Sequence, residues 1–226
     1  ICCVTYNHEK FIRKCLDGFL LQQTSFPIEV IIHDDASTDG TQKIIEEYTS
    51  KHPDIFFPLL QKENQYRKGI RGMNAKFNFP RCTGKYIALC EGDDFWNDPN
   101  KLQKQVDFLE NNPTYNLVYH NCFILKGNVI NTVYWSEKHK NDFSFEFKDS
   151  LIMKIGYTLS ATFRRSSVGK EFTDASKSIF YVDYFLELFL LKDGAKGYYS
   201  KETMGVYRDH SQGVTKLNPQ TSEEEI

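Results

Sequence analysis

Residues 84–96 read GKYIALCEGDDFW, and this stretch indicates the fold more directly than any other part of the chain. The run 86–90 is continuously apolar, which predicts a central strand buried on both faces, as in a parallel sheet covered by helices. The acidic run 91–94 (EGDD) follows at once. Because ligands of open α/β sheets bind beyond the carboxyl ends of the strands, we expect this run to face a binding cleft.

Alternating strands and helices precede this stretch. Apolar strands are predicted at residues 1–4, 29–33 and 56–60. A helix over residues 12–20 carries apolar positions on one face, and a second helix is predicted to begin with a capping box formed by Asp39 and Gln42. This order is typical of stacked βα units, so we predict the α/β class with a mostly parallel central sheet in three layers.

The second half of the chain gives weaker patterns. A helix is predicted after residue 98, with Asp98 as its cap and Pro99 at its first position. Strands are predicted at residues 117–119, 129–134 and 160–164. The stretch 135–150 has no period and is predicted to be a long loop of the kind that carries specificity, whereas apolar spacing after residue 181 predicts one more strong helix.

Composition excludes several classes of protein. The chain has 226 residues, of which 40% are hydrophobic, so it can bury a sizeable core, and disordered, collagen-like and disulfide-stapled proteins are excluded. Its net charge of −2 indicates no nucleic-acid partner. The six cysteines form no CxxC pair, which predicts buried free thiols in a reducing compartment and no zinc site. We therefore expect a cytoplasmic protein.

Paired aspartates follow two successive strands. Asp34 and Asp35 end the strand at 29–33, and Asp93 and Asp94 follow the strand at 86–90. Carboxyl ends of neighbouring parallel strands meet at one edge, so both pairs are expected to face one cleft. Carboxylate oxygens suit Mg²⁺ or Mn²⁺, which in turn hold phosphate oxygens. The alternative is that these aspartates only cap loops or face solvent.

Four motifs in one order resemble the family 2 glycosyltransferases with the GT-A (Rossmann-like) fold. They are Tyr6-Asn7 after the first strand, HDDASTDGT at 33–41, GKYIALCEGDDFW at 84–96 and DPNKLQKQVDFLE at 98–110. Beyond residue 125 the resemblance is limited to FYVDYFLELFL at 180–190 and GVYRDHSQGVT at 205–215. It implies one GT-A domain over 1–226, with a nucleotide-sugar and metal half at 1–125, an acceptor half at 126–215 and a solvated tail at 216–226.

The resemblance also implies what such a protein binds. The donor would be a nucleotide-diphosphate sugar, most commonly a UDP-sugar, and the acceptor a saccharide or lipid-linked saccharide. The cofactor would be Mn²⁺ or Mg²⁺. The product would be a surface polysaccharide or another glycan, made with peripheral association at the inner face of the membrane. A homodimer is left open.

Roles at the nucleotide follow from the same resemblance. Val4, Thr5 and Tyr6 would line the base pocket, Asp35 would hydrogen-bond the nucleobase, and Glu9 would contact the same nucleotide.

At the diphosphate, the resemblance implies that Glu91 and Asp93 lie near the ribose and phosphates and that Asp94 is the most direct metal ligand, with Asp93 beside it. Arg208 and His210 would reach the diphosphate or the metal.

Asp183 would be the catalytic base, and one base with in-line attack implies inversion at the anomeric carbon. Asp183 as a simple helix cap is the alternative. Two other functions are weighed against transfer: a non-catalytic relative that keeps a nucleotide or sugar pocket, and a nucleotidyltransferase. The latter needs a glycine-rich phosphate loop near the start of the chain, where no glycine precedes residue 18.

Overall fold

A computed structural model describes residues 1–132 and 137–211 of the chain. Strands β1 (Cys2–Thr5), β2 (Val30–Asp34) and β3 (Phe56–Leu60) form a parallel sheet in the order β1-β2-β3. Helices α1 (Ile12–Leu20) and α2 (Thr41–Lys51) connect these strands. The predicted βα units are therefore confirmed in this half.

A second, mixed sheet contains the other strands: β4 (Tyr86–Ala88), β5 (Phe95–Trp96), β6 (Tyr115–Lys126), β7 (Val129–Thr132), β8 (Phe143–Phe145), β9 (Thr162–Arg164) and β10 (Lys196–Asp209). Its main order is β4-β9-β6-β10-β5, while β7 pairs with β6 and β8 pairs with β10. Within it only β6 and β10 run parallel. A parallel bridge between Cys2 and Leu89 joins the two sheets, so the end of β4 lies beside β1.

The described residues contain four further α-helices after residue 100: α3 (Lys101–Asn111), α4 (Phe147–Ser150), α5 (Lys170–Ser176) and α6 (Val182–Leu190). None of the helices in the described ranges is long and apolar enough to cross a membrane.

Two hydrophobic clusters cover opposite faces of the first sheet, and strand β2 shows why. Val30 and Ile32 point into the cluster that contains the apolar face of α1, whereas Ile31, one residue out of phase, belongs to the cluster that contains Leu186 of α6. Successive side chains of a strand point to opposite faces, so a strand covered on both sides must be apolar throughout. The six cysteines, all within the described ranges, are free and buried, as predicted.

The predicted capping box of α2 is wrong. Gly40 precedes the helix, and the Asp39 carboxylate accepts hydrogen bonds from the backbone amide and hydroxyl of Thr41 at 3.0 and 2.6 Å. Gln42 instead donates to Oδ1 of Asp34 at 2.6 Å. The capping box requires the Gln42 side chain to bond the backbone at the helix start, but Gln42 bonds Asp34 of strand β2 instead.

The predicted start of α3 is also wrong. The helix begins at Lys101 after Asn100, so Pro99 lies outside it. Asp98 accepts from the backbone amide of Asn100 at 2.8 Å and holds the turn before the helix.

The predicted long loop at 135–150 contains regular structure. A 3₁₀ turn (Glu137–Lys140), β8 and α4 lie within it, because β8 pairs with a distant strand, β10. Residues 133 and 134 of the predicted strand, and the predicted tail, lie outside the described residues.

Candidate functional site

The acidic run after β4 lies against the end of β1. The backbone amide of Gly92 donates to the carbonyl oxygen of Val4 at 2.9 Å. A Cβ atom at position 92 would lie 2.6 Å from Oγ1 of Thr5 and 3.0 Å from Nδ1 of His8, so only glycine allows this approach. The predicted base-pocket residues and the acidic run are thus brought together, as expected for segments that follow two parallel, neighbouring stretches of chain.

Asp93 faces two imidazoles. Its Oδ2 lies 3.0 Å from Nε2 of His210 and 3.7 Å from Nε2 of His8. Burial lowers the pKa of His8, although the Asp93 carboxylate acts in the opposite direction. The Nδ1 atoms of both histidines are buried without a hydrogen-bond partner among the described residues. Sequence reasoning missed His8, whose only signal is its place directly after Tyr6-Asn7.

Asp94 lies underneath this group. It is 2% exposed, and its Oδ1 accepts a hydrogen bond from the backbone amide of Arg208 at 2.7 Å. Burial, followed by the charges of Asp93 and Glu91, raises the pKa of Asp94 well above its ordinary value. The Arg208 guanidinium lies over the ring of Phe95, 4.8 Å from its centroid.

Glu91 is half-buried at the centre of the acidic run. Burial, and then the charge of Asp93, raises the pKa of this carboxyl to about 8, while Lys154 acts in the opposite direction and Asp183 in the same direction. Leu89, two residues before Glu91, lines a small cavity together with Asp183, so Asp183 lies close to the start of the acidic run.

The chemistry of this cleft suits a hard divalent cation. Glu91, Asp93 and Asp94 supply carboxylate oxygens, and burial together with neighbouring carboxylates raises the pKa values of Glu91 and Asp94. Within residues 1–132 and 137–211, no three His, Cys, Asp or Glu side chains already converge as ion ligands. The residue types fit Mn²⁺ or Mg²⁺, and donor oxygens of a bound substrate would have to complete the shell.

Asp34 does not face the cleft, which corrects the expectation that both aspartate pairs point into it. It is fully buried, and its oxygens accept from the amide of Ser37 at 2.9 Å, from the hydroxyl of Ser37 at 2.5 Å and from Gln42. These bonds hold the turn after β2, so Asp34 is structural.

Asp35 holds a different loop. Its Oδ1 accepts from the amide of Gln65 at 2.7 Å and its Oδ2 from the amide of Tyr66 at 3.0 Å. Each oxygen keeps a lone pair for a further donor. Its own amide donates to the carbonyl of Thr5 at 3.0 Å, so Asp35 lies at the predicted base pocket.

The remaining base-pocket residues differ in exposure. Val4 and Tyr6 are half-buried beside Thr5, whereas Glu9 is exposed and its side chain lies over Gly40. Asn7, with φ of 54°, accepts from the amide of Thr38 at 2.7 Å and fixes the loop after β1.

Asp183 lies in the first turn of α6 and forms an ion pair with Lys154. The two line a small cavity with Leu89, the residue that follows β4, and Tyr119 of β6. Burial acts to raise the pKa of Asp183, but Lys154 and nearby backbone amides outweigh it, so the pKa lies below its ordinary value. Sequence reasoning missed Lys154, because no spacing links residue 154 to residue 183.

Comparison with known proteins identifies relatives of this chain. Residues 1–172 match the model of the family described as Glycosyl transferase family 2. The uncharacterized protein Rv1520 of Mycobacterium tuberculosis is 36% identical over 219 residues, which cover 93% of this chain and 58% of that protein. The chain thus spans well under two thirds of the length of this relative.

Two solved structures share the fold. S. aureus TarS 1-349 in complex with UDP-GlcNAc has a TM-score of 0.72 at 18% identity, covering 96% of this chain and 60% of that one. The mannosyltransferase PcManGT from Pyrobaculum calidifontis, in complex with GDP-Man and Mn²⁺, has a TM-score of 0.67 at 18% identity, covering 96% and 58%. The predicted GT-A fold class is confirmed.

Proposed function

Because this chain belongs to glycosyl transferase family 2, we propose that it moves a sugar from a nucleotide-diphosphate donor, a UDP-sugar in the first instance, to an acceptor hydroxyl with inversion. The observation that supports this most is that Asp183 of α6 and Leu89, which leads into the acidic run with Asp93, line one small cavity, so carboxylates from distant parts of the chain lie beside one cleft. Asp93 would act at the leaving diphosphate through a bound cation, and Asp183 would accept the proton of the attacking hydroxyl.

The diphosphate side uses the more accessible carboxylate. Asp93 is 19% exposed and touches His210, whereas Asp94 is nearly inaccessible and already bonded to the chain. We therefore assign the cation, Mn²⁺ or Mg²⁺, to Asp93 and His210. Asp94 would instead fix the backbone of Arg208 through the hydrogen bond that it accepts from the Arg208 amide. A bound divalent cation would neutralise charge that develops on the leaving phosphate, a contribution of several kcal/mol.

The nucleotide would lie at the ends of β1 and β2. Val4, Thr5, Tyr6 and Asp35 surround this place, with Glu9 at its exposed edge. Thr5 Oγ1 is buried without a hydrogen-bond partner in the described residues, as expected for a group that meets a ligand.

Arg208 is oriented for the diphosphate. Its buried Nε atom lacks a partner among the described residues, while its amide is fixed by Asp94. An unpaired guanidinium donor beside the acidic cleft suits a phosphate oxygen.

Asp183 would act as the base. The acceptor O–H bond breaks as its proton passes to a carboxylate oxygen of Asp183, the new C–O bond forms, and the bond to the diphosphate breaks with its electron pair on the leaving oxygen. General-base assistance of this kind contributes about 10²–10⁴-fold. In-line displacement inverts the anomeric carbon, and residues 126–215 would bind the saccharide or lipid-linked saccharide acceptor.

The test is donor hydrolysis and transfer with Mn²⁺ or Mg²⁺ across a panel of nucleotide sugars. Asp183→Asn is expected to lower turnover by roughly 10²–10⁴-fold with little change in donor binding. Asp174→Asn, on exposed α5 and paired with Lys177, is the control. Metal-dependent binding of a nucleoside diphosphate by the wild type without turnover on any acceptor would instead indicate a non-catalytic relative.

A further inference from the structure

Lys154 lies outside every motif of the sequence, yet it touches the proposed base. Its Nζ donates a hydrogen bond to Oδ2 of Asp183. Its side chain is 24% exposed and that of Asp183 is 46% exposed. The pair therefore lies at the wall of the cleft and is open to a substrate on one side.

A buried carboxylate holds the main chain beside Lys154. Glu187 is fully buried, and its two oxygens accept from the amide of Ile155 at 3.2 and 3.3 Å. The hydroxyl of Tyr119 donates to the same carboxylate at 2.9 Å. Burying a carboxylate is costly unless hydrogen bonds compensate, so these contacts fix the position of residue 155 and hence of its neighbour.

Asp183 and Glu187 are four residues apart on α6, so they lie on one helix face. Glu187 accepts hydrogen bonds from the backbone amide of Ile155, and Asp183 accepts one from the side chain of Lys154. The helix and the segment are thereby joined at two points, and the Lys154 ammonium has little freedom to leave Asp183.

Three other titratable groups act on this pair from the elements around it. They are Glu91 from the loop after β4, Tyr119 from β6 and Glu187 from α6 itself. Of these groups and Lys154, only Lys154 is cationic. Without it, Asp183 would share the cleft with Glu91 and would gain a proton more readily.

We propose that Lys154 is a positioning residue for the transfer reaction, whose ammonium pairs with Asp183 and keeps that carboxylate oriented and ready to accept the proton of the acceptor. The proposal rests on the proposed function. In this role Lys154 need not contact the donor.

The first measurement does not depend on activity. Aspartate labelled with ¹³C at its side-chain carboxyl is incorporated, and the Asp183 signal is identified by its loss in Asp183→Asn. In Lys154→Met, or in Lys154→Gln if the first variant does not fold, this signal is expected to titrate at higher pH than in the wild type. Lys154→Arg should restore the wild-type titration. Lys148→Met, which removes an exposed lysine paired with Glu146, should leave it unchanged.

The second measurement is the pH profile of donor hydrolysis. In Lys154→Met the acidic limb of the profile should shift to higher pH, so turnover falls more at pH 6 than at pH 8, because the Asp183 carboxylate is protonated at higher pH than in the wild type. The nucleoside diphosphate should bind as in the wild type.

Different results would overturn the role of Lys154 and the proposed function. An active wild type in which Lys154→Met leaves both the titration of Asp183 and the acidic limb of the profile unchanged overturns the role of Lys154. A wild type without turnover on any donor overturns the proposed function, while the carboxylate titration still tests the pairing.

Discussion

The buried carboxylate of Asp94 accepts a hydrogen bond from the backbone amide of Arg208 over 2.7 Å, across 114 residues of sequence. This bond joins the loop after β4 to the end of β10. It leaves the neighbouring Asp93 turned toward His210 at the cleft. The two adjacent aspartates of one motif therefore differ in exposure and in partners, since the Asp93 side chain is 19% exposed and Asp94 is 2% exposed.

Asparagine substitutions should separate the roles of Asp93 and Asp94. Asp93→Asn is expected to weaken Mn²⁺-dependent binding of a nucleoside diphosphate by roughly tenfold or more, because it removes an accessible anionic ligand. Asp94→Asn should change it little, since an amide oxygen can still accept from Arg208. Titration calorimetry with and without Mn²⁺ measures both. Equal losses in the two variants would show that Asp94 also binds the cation.

Gly92 should tolerate no side chain. Its alanine variant would place Cβ 2.6 Å from Oγ1 of Thr5, so we expect the free energy of unfolding to fall by roughly 1–3 kcal/mol through overpacking. Urea unfolding measures this change. Gly169→Ala is the control, because a Cβ atom there meets nothing within 4 Å. A stable Gly92→Ala protein with normal nucleotide binding would contradict the close approach of β1 and the acidic run.

Asp35 should order the loop that follows β3. In Asp35→Asn an amide group must face one of the two backbone amides, of Gln65 or Tyr66, that the carboxylate accepts. The amide that loses its acceptor can then exchange with water more readily, so the amides of Gln65 and Tyr66 should exchange hydrogen faster. Hydrogen exchange followed by mass spectrometry tests this, with Asp54→Asn at an exposed position as the control. Unchanged exchange at 65 and 66 would refute the role.

Lys101 should make stability depend on pH. Its ammonium is fully buried, 3.8 Å from the Trp96 ring centroid and 3.2 Å from Oγ1 of Thr162. Burial lowers its pKa to about 7 from the ordinary 10.5, although Cys90 and Cys122 act in the opposite direction. Between these two pH values the unfolded chain binds more protons than the folded one, so this group adds stability as pH rises through that window.

Lys101→Met should therefore stabilise the protein more at pH 7 than at pH 9. The difference from wild type should change by up to about 1.4 kcal/mol per pH unit, measured by urea unfolding at both pH values. Lys104→Met, on the same helix but paired with exposed Glu202, should show no such trend. A stability difference between Lys101→Met and the wild type that is the same at both pH values would contradict the lowered pKa of Lys101.

The local patterns predicted much of the first half of the chain. The strands and helices up to residue 60 were found where apolar spacing placed them, because each element buries a continuous run or one regular face. Helix starts were predicted less well. Asp39 and Asp98 have the right residue type for a cap, but the residue before each helix is Gly40 or Asn100, and residue type alone does not fix where the helix begins.

The sequence by itself determined that an acidic run follows a buried strand and that Asp183 begins an apolar helix, since both depend on neighbours in the chain. Only the tertiary structure decided that Asp34 turns away, that Asp93 and not Asp94 is exposed, and that Lys154 meets Asp183. The pairing of strand β10 with β6 was also decided only by the tertiary structure, because the two strands lie far apart in the sequence. Contacts between distant segments leave no periodic signal, since loop closure and packing select them after the local elements have formed.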